Sequence, residues 1–512
     1  MKKIYLTLIA LLAVISASAQ GWPANYKGVM LQGFSWNAYD YAQWKTLEAQ
    51  APEMKGFIDL VWVPQSGKCA EAVQVMGYKP YYYFNHNSSF GTEDELRSMI
   101  KTFKNNGIGT IADVVINHRN TEGWFTFPAE TYKGVTYQMQ PTDICKNDDG
   151  GKTATQAQKE GVSLSNNNDE GSDFGDCRDL DHKSTNVQNV VKAYLKFLKE
   201  DLGYEGFRYD MVKGFAASHV GDYNDATGIK FSVGEYWDGV SSIKNWINNT
   251  GKKSGAFDFQ FHYNMTDAIK SNNWTKLNNG SLMSDVSYRQ YAITFVENHD
   301  IQVREDKSNN PDPIPTAYIP AANAFLIAMP GTPCIFQPHW RTYEHELKSM
   351  IEARKLAGIT NTSSYNNYAS NSLYFANAVD GTNNRKLLVV VGPGKMTEPS
   401  KSTYTKILSG ENYIYYLSSN AETAWADKAS GEYEEGFKVT LTAVSQNSNA
   451  KLVYTTNGTN PTASSTQATS GTSINISSSC TLKVGLLING TVSGIRTYNY
   501  SIKRFEPYNI TV

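Results

Sequence analysis

The stretch Gly206–Gly214, GFRYDMVKG, places three charged side chains in a segment that otherwise has the residue types of a buried strand. These side chains are Arg208, Asp210 and Lys213. A buried charge costs several kcal/mol unless it is paired or functional. Arg208 and Asp210 are two residues apart, which puts them on the same face of a strand. The stretch therefore predicts a strand whose carboxyl end carries a functional ion pair.

A strand and helix pattern surrounds this stretch and repeats along the chain. Apolar residues from Val187 to Leu198 keep helical spacing, and Gly203 ends that helix. Earlier, Thr92 and Glu95 predict a capping box. The predicted strands lie in KGVMLQGFSW, FIDLVWVP, TIADVVINH, GFRYD, FSVGEYW, AFDFQF, AITFVENHD and GTPCIFQ. About eight alternating units predict a (β/α)8 TIM barrel of the α/β class.

The remaining segments divide the chain into further domains. Residues 119–181 are polar and rich in Gly, Asn and Asp, which predicts an irregular subdomain inserted into the barrel. After about Asn361, short strands with Asn-Gly turns predict an all-β domain and then a small β-sandwich. The expected limits are a signal peptide at 1–19, barrel at 20–118, insertion at 119–181, barrel at 182–358, all-β domain at 359–428 and sandwich at 429–512.

The amino terminus has the pattern of a secretory signal peptide. Lys2 and Lys3 precede an apolar run of signal-peptide length, and Ala17-Ser18-Ala19 forms a cleavage site. No later stretch is long and apolar enough to cross a bilayer. We therefore expect a secreted chain, extracellular or periplasmic, that has no membrane span and is a monomer.

Charge and cysteine content exclude other classes of protein. The net charge of −2 argues against a general nucleic-acid binder. Five cysteines are too few for a disulfide framework in a chain of this length. Cys145 and Cys177 could pair, but buried free thiols are the favoured interpretation. No CxxC or HExxH motif indicates zinc.

Four predicted strands end in acids or histidines. They are DVVINH at 113–118, GFRYDMVKG at 206–214, VGEYW at 233–237 and FVENHD at 295–300. The carboxyl ends of barrel strands converge on one mouth, so Asp210, Glu235 and Asp300 are expected to share a cleft. Each acid alone could instead cap a helix, but all four segments together indicate an active site.

In their order and spacing, these segments resemble the signature regions of the α-amylase family of glycoside hydrolases. GYKP, NSSFGTEDEL and GTPCIF are also similar to that family, and the resemblance runs from about Val29 to Arg354, nearest to plant and bacterial members. It implies a secreted, retaining endo-α-1,4-glucan hydrolase acting on starch-like glucans. Alternatives are a maltooligosaccharide-forming amylase or transglycosylase of the same family, or a non-catalytic glucan-capture protein.

The resemblance also implies roles for individual residues. Asp210 is implied to be the nucleophile, Glu235 the general acid/base and Asp300 the third carboxylate. Glu235 must hold a proton near neutral pH, whereas Arg208 is expected to keep Asp210 ionised. The implied substrate contacts are Arg208 beside the nucleophile, His118 and His299 as hydrogen-bond donors to the first sugar, Tyr78 stacked under it, and Lys213 toward the leaving group. For Lys213, a solvent-facing lysine is the alternative.

The same resemblance implies a Ca²⁺ site that ties the insertion to the barrel. The implied ligands are Asn117, Asp169, Asp179 and the backbone oxygen of Gly214, all of them oxygen donors. Asp169 lies in NNNDEGSD and could instead be a solvated loop acid. The family's usual proline before DLD is Arg178 here, so the local loop is expected to differ.

The last segment is similar to the small sandwich of chitobiase-type enzymes. YTTNGTNPT and VSGIRTYNYSI carry this similarity. We see no aromatic platform in the segment, so a rigid spacer is favoured over a starch-binding module.

Overall fold

The computed structural model describes residues 21–70, 74–304, 307 and 309–503. The predicted signal peptide at 1–19 lies outside the described residues.

Eight parallel strands close into a barrel, as the sequence predicts. They are β1 (Met30–Gln32), β2 (Leu60–Trp62), β3 (Gly109–Val114), β4 (Gly206–Tyr209), β5 (Phe231–Gly234), β6 (Gly255–Phe257), β7 (Ala292–Thr294) and β8 (Thr332–Phe336). Each strand pairs with the next along the chain, and β8 pairs with β1 to close the ring. The carboxyl ends of all eight strands therefore open on one face.

Helices connect the strands and cover the outside of the barrel. The α-helices are α1 (Trp44–Ala49), α2 (Ala51–Met54), α3 (Glu93–Asn105), α4 (Lys152–Glu160), α5 (Thr185–Lys196), α6 (Ala217–Thr227), α7 (Val240–Asn249), α8 (Phe259–Lys270), α9 (Ile319–Ala328) and α10 (Gln337–Ala357). A π-helical turn at Phe197–Leu202 extends α5 to Gly203. The short 3-10 helices are Ala38–Asp40, Pro141–Asp143, Asp148–Gly151, Trp274–Asn278, Arg289–Tyr291, Thr316–Tyr318 and Ser419–Ala421.

Local sequence signals explain several of these boundaries. The predicted capping box at Thr92 and Glu95 is present at the start of α3. The predicted strand AFDFQF is wrong beyond Phe257, because the Asp258 side chain accepts the Phe261 backbone N–H and starts α8. An acid at this position stops the strand and caps the following helix.

The insertion between β3 and α5 is irregular, as predicted, but its two ends are held together. His118–Arg119 pairs antiparallel with Arg178–Asp179, so the insertion leaves and re-enters the barrel at one place. A hairpin of Glu130–Tyr132 and Val135–Tyr137 and the helix α4 lie between these ends.

Two groups of strands follow the barrel, and their pairs are antiparallel except for Gly431–Tyr433, which pairs parallel with Thr491–Ile502. The first is a sheet in the order β9-β10-β11-β13-β12, formed by β9 (Tyr365–Asn371), β10 (Tyr374–Asp380), β11 (Lys386–Val391), β12 (Tyr404–Gly410) and β13 (Tyr413–Ser418). The second comprises β14 (Thr423–Ala426), β15 (Gly431–Tyr433), β16 (Phe437–Val444), β17 (Lys451–Thr455), β18 (Thr466–Ala468), β19 (Thr472–Ile476), β20 (Cys480–Ile488) and β21 (Thr491–Ile502). Both groups agree with the all-β prediction for this part of the chain.

The last group forms two sheets around a core of its own. The sheets have the orders β14-β16-β19 and β15-β21-β20-β17-β18, and apolar residues of both pack together. The turn between β20 and β21 uses Asn489 and Gly490 at φ of 48° and 79°, as a tight hairpin requires. Because β14 pairs with β16, this strand joins the last group although it precedes the expected limit at 429.

The last group of strands, which we call the C-terminal module, packs against helix α10 of the barrel. The Tyr433 ring stacks on His345 with centroids 4.0 Å apart, and Arg496 pairs with Glu352 at 3.5 Å. A cleft of about 900 Å³ lies between α10, the sheet β9–β13 and this module, away from the barrel mouth.

Two further expectations concern membranes and cysteines. No helix in the described part of the chain is long and apolar enough to span a membrane. All five cysteines are free, four of them buried, so the free-thiol interpretation is confirmed and the pairing of Cys145 with Cys177 is not.

Candidate active site

Two acids stand directly beyond neighbouring barrel strands. The Asp210 backbone N–H donates to the Val114 carbonyl, and the Glu235 N–H donates to the Tyr209 carbonyl. These bonds continue the parallel ladders by one residue past β4 and β5. The backbone therefore fixes both carboxyl groups at the mouth of the barrel.

One buried guanidinium contacts three carboxylates at this mouth. Nη1 of Arg208 lies 2.8 Å from Oδ1 of Asp113 and 2.7 Å from Oδ1 of Asp210. Nη2 lies 3.1 Å from Oε2 of Glu235. The side chain of Arg208 is only 1% exposed, and its guanidinium lies 4.8 Å from the centre of the Trp62 ring. The charged residues of the stretch GFRYD are therefore paired within one cluster.

Burial raises the pKa of both acids, but to different values. It raises the pKa of Glu235 to about 8, with Asp210 and Asp300 adding to the rise and Arg208 opposing it. Burial also raises the pKa of Asp210 to about 6, against the lowering effect of Arg208. At neutral pH, Glu235 is mainly protonated and Asp210 mainly ionised. These are the protonation states that the roles predicted for the two acids require.

The turn after Asp210 helps to hold Glu235. Met211 has φ of 45°, in the left-handed region that residues other than glycine seldom adopt. In this conformation its backbone N–H donates to Oε2 of Glu235 at 3.0 Å. The strained residue thus aims a donor at the neighbouring acid.

Lys213 points to the loop that follows Glu235. Its Nζ lies 3.0 Å from Oδ2 of Asp238 and 3.3 Å from the Trp237 carbonyl. Its side chain is 35% exposed. The structure places Lys213 at the rim of the cleft.

Asp300 follows β7 on the other side of the mouth. Its Oδ1 pairs with Arg304 at 2.5 Å, and its Oδ2 lies 3.4 Å from Nε2 of His299. The Arg304 guanidinium lies over the Trp36 ring at 3.3 Å. Asp300 adds to the rise in pKa of both Asp210 and Glu235, so its charge acts on the same cleft.

Tyr78 joins the two sides of the mouth. Its hydroxyl lies 2.9 Å from Nε2 of His299 and donates to Oδ2 of Asp113 at 3.0 Å. The Tyr78 and His299 rings are nearly parallel, 5.6 Å apart at 13°. Through Asp113, this pair connects to Arg208 and the two acids it holds.

His118 lies behind Tyr78. Its Nε2 donates to the Tyr78 carbonyl at 2.8 Å, and its ring stacks on Phe174 at 3.9 Å. Burial lowers the pKa of His118 to about 4, so the ring is neutral with one N–H. In this structure that N–H supports the backbone of Tyr78.

The predicted residues thus fall into two groups. In the first group, side chains contact one another directly or through Asp113; its members are Arg208, Asp210, Glu235, Asp300, His299 and Tyr78. In the second group, His118 contacts the backbone of Tyr78, and Lys213 contacts Trp237 and Asp238. Sequence reasoning did not assign roles to Gln32, Trp36, Trp62 or Asp113. The feature that could have identified them is their position at or near the ends of predicted strands, in the segments LQGFSW, VWVP and DVVINH.

A second polar cluster lies where the insertion meets the barrel. Carboxylate oxygens of Asp148, Asp173 and Asp179 lie within 4.8 Å of one another. Burial, followed by a hydrogen bond with Asp173, raises the pKa of Asp179 to about 9. Asp179 also contacts Asn117, whose Nδ2 is 3.1 Å from Oδ1 of Asp179. A group of close carboxylates suits a hard cation.

The other predicted ligands are close to this cluster. A Cβ on Gly214 would lie 1.8 Å from Oδ1 of Asn117, so only glycine fits beside that amide. Oδ2 of Asp169 is buried and has no hydrogen-bond partner. An orphaned carboxylate oxygen and a close set of oxygen donors fit a bound cation. Sequence reasoning missed Asp148 and Asp173.

Arg178, which replaces the expected proline, has a partner in the same region. Its guanidinium pairs with the buried Asp148 and lies 4.9 Å from the centre of the Trp124 ring. The replacement of proline by Arg178 therefore places a guanidinium group beside the acidic cluster.

Comparison with known proteins identifies related chains. The family model described as "Alpha amylase, catalytic domain" matches residues 69–339, and "Chitobiase/beta-hexosaminidase C-terminal domain" matches residues 428–495. Probable alpha-amylase 2 of Arabidopsis thaliana is 26% identical over 412 residues, covering 76% of this chain and 93% of the relative. Glucan 1,4-alpha-maltotetraohydrolase of Stutzerimonas stutzeri is 26% identical, covering 65% of this chain and 62% of that protein.

Solved structures show the same fold. The gamma-CGTase from alkalophilic Bacillus clarkii superposes with a TM-score of 0.56 at 15% identity, covering 93% of this chain and 84% of that chain. At this identity the likeness concerns the fold alone.

Proposed function

The chain belongs to the alpha-amylase catalytic-domain family of glycoside hydrolases, and from this premise we propose that it is a secreted, retaining endo-α-1,4-glucan hydrolase of starch-like glucans. Members of this family act on α-glucans. The observation that carries the proposal is the Arg208 guanidinium, which holds Asp210 and Glu235 at the ends of adjacent strands. Retaining hydrolysis requires two such carboxyl groups on either side of one glycosidic bond.

We propose a double displacement for the reaction. Asp210 attacks the anomeric carbon and forms a glycosyl ester, while Glu235 gives its proton to the departing glycosidic oxygen. Glu235, now ionised, then takes a proton from a water molecule as the water oxygen bonds to the anomeric carbon, and the bond from that carbon to Asp210 breaks and returns the free carboxylate. Asp300 accepts hydrogen bonds from sugar hydroxyls. The pKa order of about 6 for Asp210 and about 8 for Glu235 supports these roles.

The other predicted residues are proposed to hold the substrate. Tyr78 stacks under the first sugar and His299 donates a hydrogen bond to it. His118 is proposed to act there too, although its N–H donates to the Tyr78 carbonyl in this structure. Lys213, beside Trp237 and Asp238, is proposed to face the leaving group.

We also propose that Ca²⁺ binds between the insertion and the barrel. The proposed ligands are Asn117, Asp169, Asp179 and the backbone of Gly214, with Asp148 and Asp173 added from the structure. When bound, the ion supplies positive charge that holds these acids ionised and ties the insertion to β3 and β4. The buried oxygen of Asp169 and the contact of Asn117 with Asp179 support this site.

Thermal unfolding tests the calcium proposal independently of activity. The full chain is expected to unfold at a higher temperature in excess Ca²⁺ than in a calcium chelator. Asp179→Asn is expected to shrink that difference, while Asp94→Asn on the outer helix α3 leaves it unchanged. Equal unfolding temperatures in both buffers would reject the site.

The function itself is tested by reducing-end release from soluble starch. The mature chain is expected to release reducing ends, and Glu235→Gln to lose at least about a hundredfold of that rate, the scale of a lost general acid. Glu205→Gln is the matched control, because Glu205 is exposed just before β4 at the opposite end of the barrel. Starch binding by a chain that releases nothing would favour the glucan-capture alternative instead.

A product-specific enzyme is the second candidate, supported by the maltotetraohydrolase relative. Chromatography of early products separates the possibilities. An endo enzyme is expected to give a range of oligosaccharides, a product-specific enzyme one dominant length, and a transglycosylase products longer than the added acceptor.

Three further proposals concern the localisation, oligomeric state and domain limits of the chain. The signal peptide is proposed to direct the chain out of the cytoplasm, and the mature chain to be a monomer. The domain limits given above are proposed with β14 assigned to the last domain, because of its pairing with β16.

A further inference from the structure

A buried glutamine at the barrel mouth has no part in the reaction described above. Gln32 is the last residue of β1 and is 1% exposed. Its side-chain amide nitrogen lies 2.9 Å from Nδ1 of His299. His299 is equally buried, so water does not compete for its ring nitrogens. The protein groups around His299 therefore decide which nitrogen carries its proton.

Two acceptors face Nε2 of His299. The Tyr78 hydroxyl lies 2.9 Å away and Oδ2 of Asp300 lies 3.4 Å away. Tyr78 has one hydroxyl proton, which it donates to Oδ2 of Asp113 at 3.0 Å. Toward His299 the Tyr78 oxygen can then only accept. Asp300 pairs with Arg304 through Oδ1 and presents Oδ2 to His299 as a second acceptor, so Nε2 must carry a proton.

The opposite nitrogen must then be an acceptor. Burial lowers the pKa of His299 to about 4, so the ring is neutral at working pH and has a single N–H. With that proton on Nε2, the lone pair of Nδ1 faces Gln32. The amide N–H of Gln32 is the donor that this lone pair requires, and the contact of 2.9 Å is a normal hydrogen bond.

We propose that Gln32 is a positioning residue that holds His299 as its Nε2–H tautomer, so that this N–H faces Tyr78 and Asp300, the two side chains proposed above to contact the same sugar. The inference rests on the proposed function, because it takes His299, Tyr78 and Asp300 as side chains that contact the substrate. The charged and titratable groups that face His299 are Asp300, Arg208, Arg304 and Tyr78. Gln32 faces it from β1 without a charge.

Nitrogen NMR of the full chain, labelled with ¹⁵N-histidine, tests the tautomer without any substrate. The His299 signals are assigned by their loss in His299→Gln. Near neutral pH we expect Nε2 to be protonated and Nδ1 to be bare. Gln32→Glu keeps the shape of the side chain but presents only acceptors, so Nδ1 is expected to gain a proton. A protonated Nδ1 in the parent, or an unchanged spectrum in Gln32→Glu, would overturn the proposal.

Kinetics supply the second readout. Gln32→Met removes the donor, and kcat/KM on soluble starch is expected to fall about tenfold, the scale of one hydrogen bond. Gln337→Met is the control, since Gln337 is an equally buried barrel glutamine at the start of α10. Equal losses in both variants would indicate a packing effect and count against the proposal. If Gln32→Met does not fold, Gln32→Glu replaces it with the same expected loss.

The two readouts also separate this inference from the proposed function. A parent chain that releases no reducing ends would refute the hydrolase, whereas the NMR spectrum still reports the tautomer. A hydrolase with the other tautomer would refute the role of Gln32 alone.

Discussion

Arg208 is the residue on which the mouth of the barrel is organised. A guanidinium has several N–H donors in a fixed plane and can bind separate carboxylates at once, which a lysine ammonium on a flexible stem does less well. Asp113, Asp210 and Glu235 each use part of that plane. The position of the nucleophile relative to the acid is thus set by one side chain.

Replacing Arg208 with lysine keeps the positive charge but removes the planar guanidinium with its several N–H donors. We expect Arg208→Lys to lower kcat by at least about a hundredfold, since one of the buried carboxylates loses its partner. Arg97→Lys is the control, because Arg97 pairs with Glu93 on the surface of α3 with 38% of its side chain exposed. Circular dichroism checks that both variants fold, and initial rates on starch measure kcat. A near-normal rate for Arg208→Lys would contradict the proposal that Arg208 must hold all three acids.

The pH dependence of kcat/KM follows from the two raised pKa values. Asp210 must be ionised to attack, so activity is expected to fall as pH drops through about 6. Glu235 must be protonated, so activity is expected to fall as pH rises through about 8. Rates measured across this range at low substrate check both limbs. In Glu235→Gln the alkaline limb is expected to disappear, and its persistence would assign that limb to another group.

Sequence reasoning reached the acids of this site and Arg208, but not the other side chains that support them. Asp210 and Glu235 follow recognisable strands, and barrel topology alone brings strand ends together. The roles of Gln32 and Asp113 depend on which side chains face each other across the mouth, and those contacts join residues far apart in the chain. Linear spacing carries no information about them.

The elements were predictable where a local signal fixed them. Thr92 caps α3 through its own side chain, and the Asn489-Gly490 pair needs positive φ, so both could be read directly. AFDFQF was misassigned because phenylalanine suits a strand and a buried helix equally well, and Asp258 decided between them. Some barrel strands are also shorter than the predicted segments, since β4 ends at Tyr209 and β5 at Gly234, each one residue before its acid.

The junction of the insertion with the barrel depends on a close backbone approach at Gly214. A Cβ there would lie 1.8 Å from Oδ1 of Asn117, so Gly214→Ala must displace the amide or the turn. We expect a destabilisation of about 1–3 kcal/mol, as for other overpacked sites. We also expect weaker Ca²⁺ binding, measured by calcium titration followed by thermal unfolding.

Gly280→Ala provides the comparison for that variant. The nearest atom to a Cβ on Gly280 is 3.7 Å away, which is ordinary contact. This variant is expected to match the parent in both measurements. If Gly214→Ala also matched the parent, the tight junction would have no energetic consequence.

Across the whole molecule, the C-terminal module is held to the barrel by specific contacts. Arg496 pairs with Glu352 of α10 and stacks over Trp425 at 5.4 Å, at a site where Oε2 of Glu352 is buried. No sequence pattern predicted this interface, because its two surfaces belong to separately patterned domains. These contacts fix the module against the barrel, and its role as a rigid spacer stays a prediction.

Removing one partner of this pair tests the interface. Arg496→Ala is expected to cost about 1–3 kcal/mol, because Glu352 is left as a buried acid without its cation. Lys503→Ala is expected to have little effect, since Lys503 and Glu432 are about half exposed. Denaturant unfolding of both variants measures the difference, and equal stabilities would mean that the buried pair contributes no more than the surface pair.

The closure of β8 on β1 also sets an order of events during synthesis. Met30 finds its partner Cys334 only after some three hundred further residues have been made, roughly 15 s to a minute of translation at about 5–20 residues per second. The segment before β1 waits longer still for its own partner, because the Pro23 carbonyl and the Tyr26 N–H bind the side chain of the buried Asn361. Until β8 is made, β1 has one open edge, and such an edge invites pairing with other chains. A nascent chain of this protein therefore needs to be kept apart from its neighbours for most of its own synthesis.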